Sequence, residues 1–253
     1  MTRITTVINQ KGGVGKTTTA HALATGLNHR GYKSLVIDTD PQGNISFTMQ
    51  ADATRAGLYE AMRGEISAAE AIQHTAQGDI MPSSLYLAGA DLEFTQTGRE
   101  YRLRELLEDI TGNYTHIIID SPPALGIMTI NALTASSDIV IPVGADIYSL
   151  QGLQQLLATV DKVKKYSNPG LRLAGLLITR RGQRAIATRQ LIEAIKARAA
   201  TLHAHLYRAT IREAIAIKEA QIMQGSIFET HAKAKATADY SAFIDEYIAQ
   251  EAQ

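Results

Sequence analysis

Residues 9–19 read Asn9-Gln10-Lys11-Gly12-Gly13-Val14-Gly15-Lys16-Thr17-Thr18-Thr19, and this glycine-rich stretch decides the fold. The residues just before it, 4–8, form a β-branched apolar run that predicts a strand. After it, small and apolar residues recur with helical spacing up to about residue 30. A glycine-rich turn between a strand and a helix N-terminus is the arrangement in which backbone N–H groups and the helix dipole bind phosphate.

The loop pattern predicts a separate role for each of its residues. Lys16 is placed to reach the β- and γ-phosphates of a nucleotide, and the Thr17 hydroxyl is placed to bind Mg²⁺. Without side chains at the three glycines, the backbone can wrap around the phosphates. The predicted phosphate-binding segment consists of Gly12, Gly13, Val14, Gly15, Lys16, Thr17 and Thr18.

Lys11 needs an explanation of its own. The common loop G-x-x-x-x-G-K-[ST] has a glycine where this chain has Gln10, and it carries a single lysine. Lys11 is therefore either a solvated surface residue or a cation that reaches a phosphate from outside the loop. Because Lys16 already fills the phosphate-binding role within the chain, a second subunit is the natural recipient of Lys11.

Three acidic residues follow apolar strands. Asp38 and Asp40 come after residues 35–37, and Asp120 comes after residues 117–119. Since ligands of open α/β sheets bind at the carboxyl ends of the strands, these carboxylates are expected beside the loop. Asp120 is predicted to hold Mg²⁺, whereas Asp40 is either functional or a turn-capping residue.

A further apolar strand, residues 138–143, contains Pro142. Pro142 either lies near the base or sugar of the nucleotide or belongs to a plain core strand. No histidine is predicted to act as a general base, and each of them, His21 included, is expected to be a surface or structural residue. The chain has no N-K-x-D motif, which disfavours a GTPase.

Alternating strands and helices predict an α/β fold, a doubly wound, mostly parallel sheet flanked by helices, in one domain over residues 1–253. No helix-turn-helix domain is expected in front, because the first strand begins at about residue 3. The predicted strands are 3–8, 34–38, 115–119, 138–143 and 173–178, with two more near 78–81 and 203–207. The predicted helices are 17–30, 100–111, 129–136, 149–166, 186–200, 212–220 and 237–249, with short ones at 54–62 and 67–74.

Composition narrows the possible classes of function. The 253 residues include no cysteine, which excludes disulfides, zinc–thiolate sites and iron–sulfur clusters. The formal net charge is +0, yet residues 160–235 hold 15 Lys and Arg against five Asp and Glu. This excess indicates a polyanion-binding face in the C-terminal half, unless the charges are scattered over the surface.

Three motifs together carry a family resemblance. K-G-G-V-G-K-T at 11–17, D-T-D-P-Q-G-N at 38–44 and D-S-P-P at 120–123 resemble the ParA/MinD family of ATPases, which has a deviant Walker A loop. The resemblance implies that Lys11 crosses to the partner's nucleotide in an ATP-sandwiched homodimer. It also implies that Asp40 positions the attacking water and that Asp38 belongs to the Mg²⁺–water network. Lys11 and Lys16 would neutralise charge on the phosphates of ATP.

This chain resembles the short members of the family, which use the ATP-bound dimer to bind nonspecific double-stranded DNA. The resemblance therefore implies a cytoplasmic, nucleoid-associated partition ATPase, stimulated by a ParB-like centromere-binding adaptor. The alternative is an ATPase of the same family that positions a protein cargo on the nucleoid. The candidate DNA-binding residues are Arg184, Arg189, Arg212, Lys218, Lys233 and Lys235.

Another branch of the family binds membranes through a basic amphipathic C-terminal helix. Here the last predicted helix, 237–249, carries acidic residues and no Lys or Arg. Anionic lipid would repel such a helix, so no membrane binding is expected and its apolar residues are predicted to pack in the core.

Overall fold

A computed structural model describes residues 2–144, 147–181, 185–201 and 204–250, without the side chains of 147–151 and 185–191. Within these residues the chain forms an eight-stranded sheet in the order β3-β4-β2-β5-β1-β6-β7-β8. All neighbouring strands pair in parallel except β3 with β4 at one edge, which are antiparallel. The strands are β1 (Arg3–Val7), β2 (Ser34–Asp38), β3 (Gln73–Thr75), β4 (Gly78–Met81), β5 (His116–Asp120), β6 (Asp138–Gly144), β7 (Arg172–Arg181) and β8 (Leu206–Arg212).

Helices cover both faces of the sheet, as a doubly wound fold requires. They are α1 (Lys16–Asn28), α2 (Asn44–Thr48), α3 (Leu58–Arg63), α4 (Ala68–Ala71), α5 (Ala90–Glu93), α6 (Arg102–Glu108), α7 (Ile127–Ala135), α8 (Ile147–Tyr166), α9 (Ala185–Thr201), α10 (Ile215–Ile222), α11 (Ile227–Thr230) and α12 (Lys235–Ala249). None of the helices in the described part of the chain is sufficiently long and apolar to span a bilayer.

Alternation along the central strands divides the core into two layers. Ile117 and Ile119 of β5 pack with α3, α6 and α7, whereas Ile118 packs with α1 and α12 on the opposite face. Successive side chains of a strand point to opposite faces, so a fully apolar strand supplies both layers. The aromatic residues of α12, among them Phe243 and Tyr247, are fully buried. This confirms that the apolar face of the last helix packs in the core.

The order of the strands also places the functional loops. β1 lies between β5 and β6, and the segment after β1 lies beside the carboxyl ends of these strands. Asp38 and Asp120 are partners in the pairing of β2 with β5, so the two acidic strand ends are adjacent. The predicted α/β class and mostly parallel sheet are confirmed.

Several predicted elements differ from the structure. The prediction of one helix over 67–74 is wrong, because α4 ends at Ala71 and an edge strand, β3, begins two residues later. β8 runs to Arg212 because it pairs with β7 along the sheet edge. The strand predicted at 203–207 therefore ends too early, and the helix predicted at 212–220 begins too early. Tertiary pairing decides such boundaries more strongly than local propensity does.

Candidate functional site

The glycine-rich loop adopts a conformation that its sequence makes possible. Gly13 and Gly15 have positive φ angles of 72° and 89°, and Gly15 directly precedes α1. A Cβ atom added to Gly12 or Gly15 would meet no atom within 4 Å, so the inner surface of the loop is open. Non-glycine residues adopt such φ values at a cost, which explains why glycine occupies these positions.

Asn9 fixes the entrance of the loop, a role that no sequence pattern indicated. Its side-chain amide donates to the Pro142 carbonyl at 2.6 Å and accepts from the Lys11 N–H at 2.9 Å. The backbone of Lys11 is thereby attached to the end of β6. The Pro142 carbonyl accepts this hydrogen bond, and Pro142 is not among the residues that line the cavity described below. The prediction that Pro142 lies near the base or sugar of the nucleotide therefore gains no support.

Lys16 is buried at the first turn of α1, and its ammonium donates to the Lys11 carbonyl at 3.5 Å. Burial lowers the pKa of Lys16, and the negative charges of Asp120 and Asp40 oppose this shift. The two carboxylates favour the charged form of the ammonium, which burial disfavours, and a charged ammonium at this position can attract phosphate.

Both oxygens of Asp38 accept hydrogen bonds from the chain itself. Oδ2 accepts from the Ser46 hydroxyl at 2.6 Å and the Ser46 N–H at 3.1 Å, and Oδ1 accepts from the Asp40 N–H at 3.1 Å. Burial raises the pKa of Asp38 to about 7, although these hydrogen bonds lower it in part. Asp38 therefore stabilises the turn between β2 and α2, and it also lies beside Asp120 at the strand ends.

Asp40 lies two residues beyond β2 and lines the same cavity as the glycine-rich loop. Its Oδ1 accepts from the Gln42 N–H at 3.0 Å, which is the turn-capping contact expected of an aspartate before Pro41. Its carbonyl accepts from the Ser83 hydroxyl at 2.6 Å. The capping role and the location at the cavity therefore occur together, and Ser83 adds a contact that sequence reasoning missed.

Both carboxylate oxygens of Asp120, at the end of β5, are buried, and neither has a hydrogen-bond partner at normal distance and angle among the described residues. Burial and the neighbouring charge of Asp38 raise the pKa of Asp120, while the Thr17 hydroxyl and the Lys16 ammonium partly oppose this rise. Buried carboxylates normally have partners, so these orphaned oxygens fit a cation or its bound water. Thr17 and Asp120 are the residues that would hold Mg²⁺.

The described residues contain no preformed group of three or more His, Cys, Asp or Glu that could bind a metal. Mg²⁺ characteristically takes one or two protein oxygens and completes its shell with water and substrate phosphates, which agrees with this arrangement.

A cavity of about 780 Å³ extends from the loop across the carboxyl end of the sheet. Its volume is in the range of small-molecule sites. Besides the loop and Asp40, its wall includes Thr179 and Arg180 at the end of β7 and Ile217 of α10. Thr179 and Arg180 were not predicted as site residues, although the rule that ligands bind at strand ends could have found them.

The candidate DNA-binding residues do not form one uniform group. Arg184 lies outside the described residues, and so does the side chain of Arg189. The Arg212 guanidinium makes two hydrogen bonds to Asp239, at 2.6 and 2.7 Å. Lys218 is exposed but lines the cavity of the site. The remaining candidates, Lys233 and Lys235, are exposed at the start of α12.

Comparison with known proteins agrees with this geometry. A family model described as an AAA domain matches residues 2–173. The chain is 42% identical over 202 residues to the sporulation initiation inhibitor protein Soj of Bacillus subtilis, which covers 78% of this chain and 79% of Soj. It is 39% identical to the chromosome partitioning protein ParA of Caulobacter vibrioides, over 77% of this chain and 76% of that protein. The chain belongs to the ParA/MinD family of ATPases.

A similar solved structure contains a bound nucleotide and magnesium. The cobyrinic acid a,c-diamide synthase of Mycobacterium smegmatis with bound ADP and magnesium superposes with a TM-score of 0.88 at 30% identity. The superposition covers 100% of this chain and 96% of that chain. As a ParA/MinD ATPase, this chain binds ATP with Mg²⁺ and hydrolyses ATP. Mg²⁺ would supply charge neutralisation at the phosphates when bound, and the glycine-rich loop and Lys16 are the groups placed to bind and orient them.

Proposed function

We propose that this chain is a DNA-partition ATPase whose ATP-bound homodimer binds nonspecific double-stranded DNA at the nucleoid. A centromere-bound, ParB-like adaptor stimulates hydrolysis, and hydrolysis releases the DNA. The relatives named Soj and ParA, about 40% identical over three quarters of the chain, support the partition role. Lys11 supports the homodimer, because Lys16 already occupies the phosphate-binding position within one chain.

The position of Lys11 supports a contact made outside its own loop. Asn9 holds the Lys11 N–H and Lys16 donates to the Lys11 carbonyl, so the backbone of Lys11 is fixed on both sides. A fixed backbone places the start of the Lys11 side chain, so only the rotamer entropy of that side chain opposes an ordered contact.

The basic C-terminal half supports DNA as the polyanion. Contacts between lysine or arginine and phosphate give affinity without reading base sequence, as nonspecific binding requires. Among the described candidates, Lys233 and Lys235 are exposed and have their charges at the N-terminal end of α12. Arg212 is a weaker candidate, because its hydrogen bonds to Asp239 would have to be shared or broken.

The test measures binding of the chain to a duplex of random sequence with no nucleotide, with ADP and with ATP, across a salt series. We expect binding that requires ATP and weakens steeply with salt. Substituting Lys233 and Lys235 by Ala should reduce the slope of log K against log salt by about one for each phosphate that these lysines neutralise. Arg55→Ala, an exposed arginine outside the basic half, is the control.

Lys11→Ala tests the dimer separately. Mass measurement in solution should give an ATP-dependent dimer for the wild type and a monomer for Lys11→Ala. A Lys11→Ala variant that dimerises normally would remove the role of Lys11, and DNA binding that is insensitive to nucleotide would contradict the proposed cycle.

A further inference from the structure

Arg180 has an unusual backbone conformation at the end of β7. Its φ angle is +51°, in the left-handed region that is unfavourable for a residue with a Cβ atom. The pairing of β7 with β8 is irregular between Ile178 and Arg181, so β7 bulges in the stretch that contains Arg180. Bulges and left-handed residues of this kind redirect a side chain and persist where surrounding contacts hold them.

The side chain of Arg180 is directed to the glycine-rich loop. Its Nη1 donates to the Gly13 carbonyl at 3.0 Å, and its Nη2 lies 3.3 Å from Glu213 Oε1. The preceding residue does the same, since the Thr179 hydroxyl donates to the Val14 carbonyl at 2.7 Å. Two consecutive residues of β7 thus hold two consecutive carbonyls of the loop.

Holding these carbonyls determines where the loop N–H groups point. In a planar trans peptide the carbonyl and the following N–H point in opposite directions. No described peptide bond is cis. The contact between Arg180 and Gly13 therefore orients the Val14 N–H, and the contact between Thr179 and Val14 orients the Gly15 N–H. N–H groups of such a loop bind phosphate, so β7 presets the donors before the nucleotide arrives.

We propose that Arg180 is a positioning residue for ATP, which holds the phosphate-binding loop in its binding conformation, and that Glu213 in turn orients Arg180. A role in folding stability alone fits the contacts less well. The ion pair with Glu213 is about half exposed on both sides, and exposed pairs contribute little to stability. The inference rests on ATP binding, and it holds whether or not the chain binds DNA.

The test uses Arg180→Gly, which removes the guanidinium and also relieves the strain of the positive φ. Binding of a non-hydrolysable ATP analogue with Mg²⁺ is measured by calorimetry. We expect its Kd to rise about tenfold, the effect of removing one hydrogen bond that preorganises the site. In the ATPase assay KM should rise by a similar factor while kcat stays within about twofold, the pattern of weakened ground-state binding.

Three further variants make the result specific. Arg180→Ala keeps the strained backbone and should match Arg180→Gly in its Kd. Arg180→Lys keeps a cation that can reach the Gly13 carbonyl and should restore part of the affinity. Arg55→Gly removes an exposed arginine elsewhere and should leave the Kd and the kinetics unchanged.

The proposal fails if Arg180→Gly binds the analogue with wild-type affinity, or if kcat falls while KM is unchanged. It also fails if the affinity drops only in Arg180→Ala, because backbone strain would then be the cause. Thermal melting without nucleotide identifies a purely structural role. A purely structural role would lower the melting temperatures of Arg180→Lys and Arg180→Gly by similar amounts. Arg180→Lys would then bind the ATP analogue no more tightly than Arg180→Gly does.

Discussion

His21 gives a quantitative prediction about pH. It lies on α1, one turn beyond the loop, and its Nε2 is 2.8 Å from Gln77 Oε1. The amide nitrogen of Gln77 donates to the carbonyls of Thr48 and Gln224, so its oxygen must face His21. An amide oxygen can only accept, and Nε2 of His21 is therefore protonated in the neutral ring. Burial lowers the pKa of His21 to about 4.

The depressed pKa determines the sign of the effect. Below pH 6.5 the unfolded chain binds a proton at His21 that the folded chain does not bind until the pH approaches 4. The stability from the buried neutral ring is complete above pH 6.5 and declines as the pH falls. A shift from 6.5 to about 4 corresponds to a decrease of about 2 kcal/mol in unfolding free energy at pH 5.

The assay is urea unfolding of the wild type and of His21→Gln from pH 8 to pH 5. A glutamine at position 21 can still donate to Gln77 but does not titrate. Other titrating groups, such as Asp38, contribute to both proteins and cancel in the difference. From pH 8 to pH 5 the unfolding free energy of the wild type should fall by about 2 kcal/mol more than that of the variant. A difference between the two proteins that does not change with pH would refute the effect of burial on the His21 pKa.

Three other substitutions test the site and the core. Asp120→Asn should raise the melting temperature without nucleotide, because it removes a buried carboxylate that lacks hydrogen-bond partners in the described part of the chain. The same substitution should lower Mg²⁺-dependent ATP hydrolysis at least about a hundredfold. Unchanged hydrolysis would contradict the metal-binding role of Asp120. Ser83→Ala should reduce kcat up to about tenfold and leave the affinity for ATP unchanged, because the Asp40 carbonyl loses its hydrogen bond from the Ser83 hydroxyl. A change in the Kd for ATP with an unchanged kcat would contradict this prediction. Gly26→Ala should destabilise the fold by about 1–3 kcal/mol in urea unfolding, because its Cβ would collide with Ile244 and Phe228. Gly112→Ala, whose Cβ would meet nothing within 4 Å, is its control.

Motifs that are contiguous in sequence could be interpreted without the structure. The loop at 11–17 and the strand ends at Asp38, Asp40 and Asp120 predicted one phosphate site, and the structure places them together. The reason is that a parallel sheet brings the carboxyl ends of its strands to one edge, whatever the lengths of the connections. The helix and strand types were predictable for the long periodic segments for a similar reason, because their periodicity is local.

Other parts of the site depend on contacts between residues far apart in sequence. Arg180 reaches Gly13 across 167 positions, and no local pattern around residue 180 indicates that contact. The network of His21 with Gln77 and Gln224 joins three segments in the same way. Arg212 looked like a free cation in sequence, and tertiary packing supplies Asp239 as its partner.

The sequence by itself determined the class of fold, the phosphate-binding loop and its three acidic neighbours, because each of these is encoded in a short run of residues. Only the tertiary structure decided that Asp120 is the buried carboxylate without hydrogen-bond partners among the residues described, and that Thr179 and Arg180 bind the carbonyls of the loop. The tertiary structure likewise decided how burial shifts the pKa of the His21 ring and of the buried carboxylates. Burial, hydrogen-bond partners and the local charge balance are properties of packed neighbours, and the order of residues along the chain does not specify them position by position.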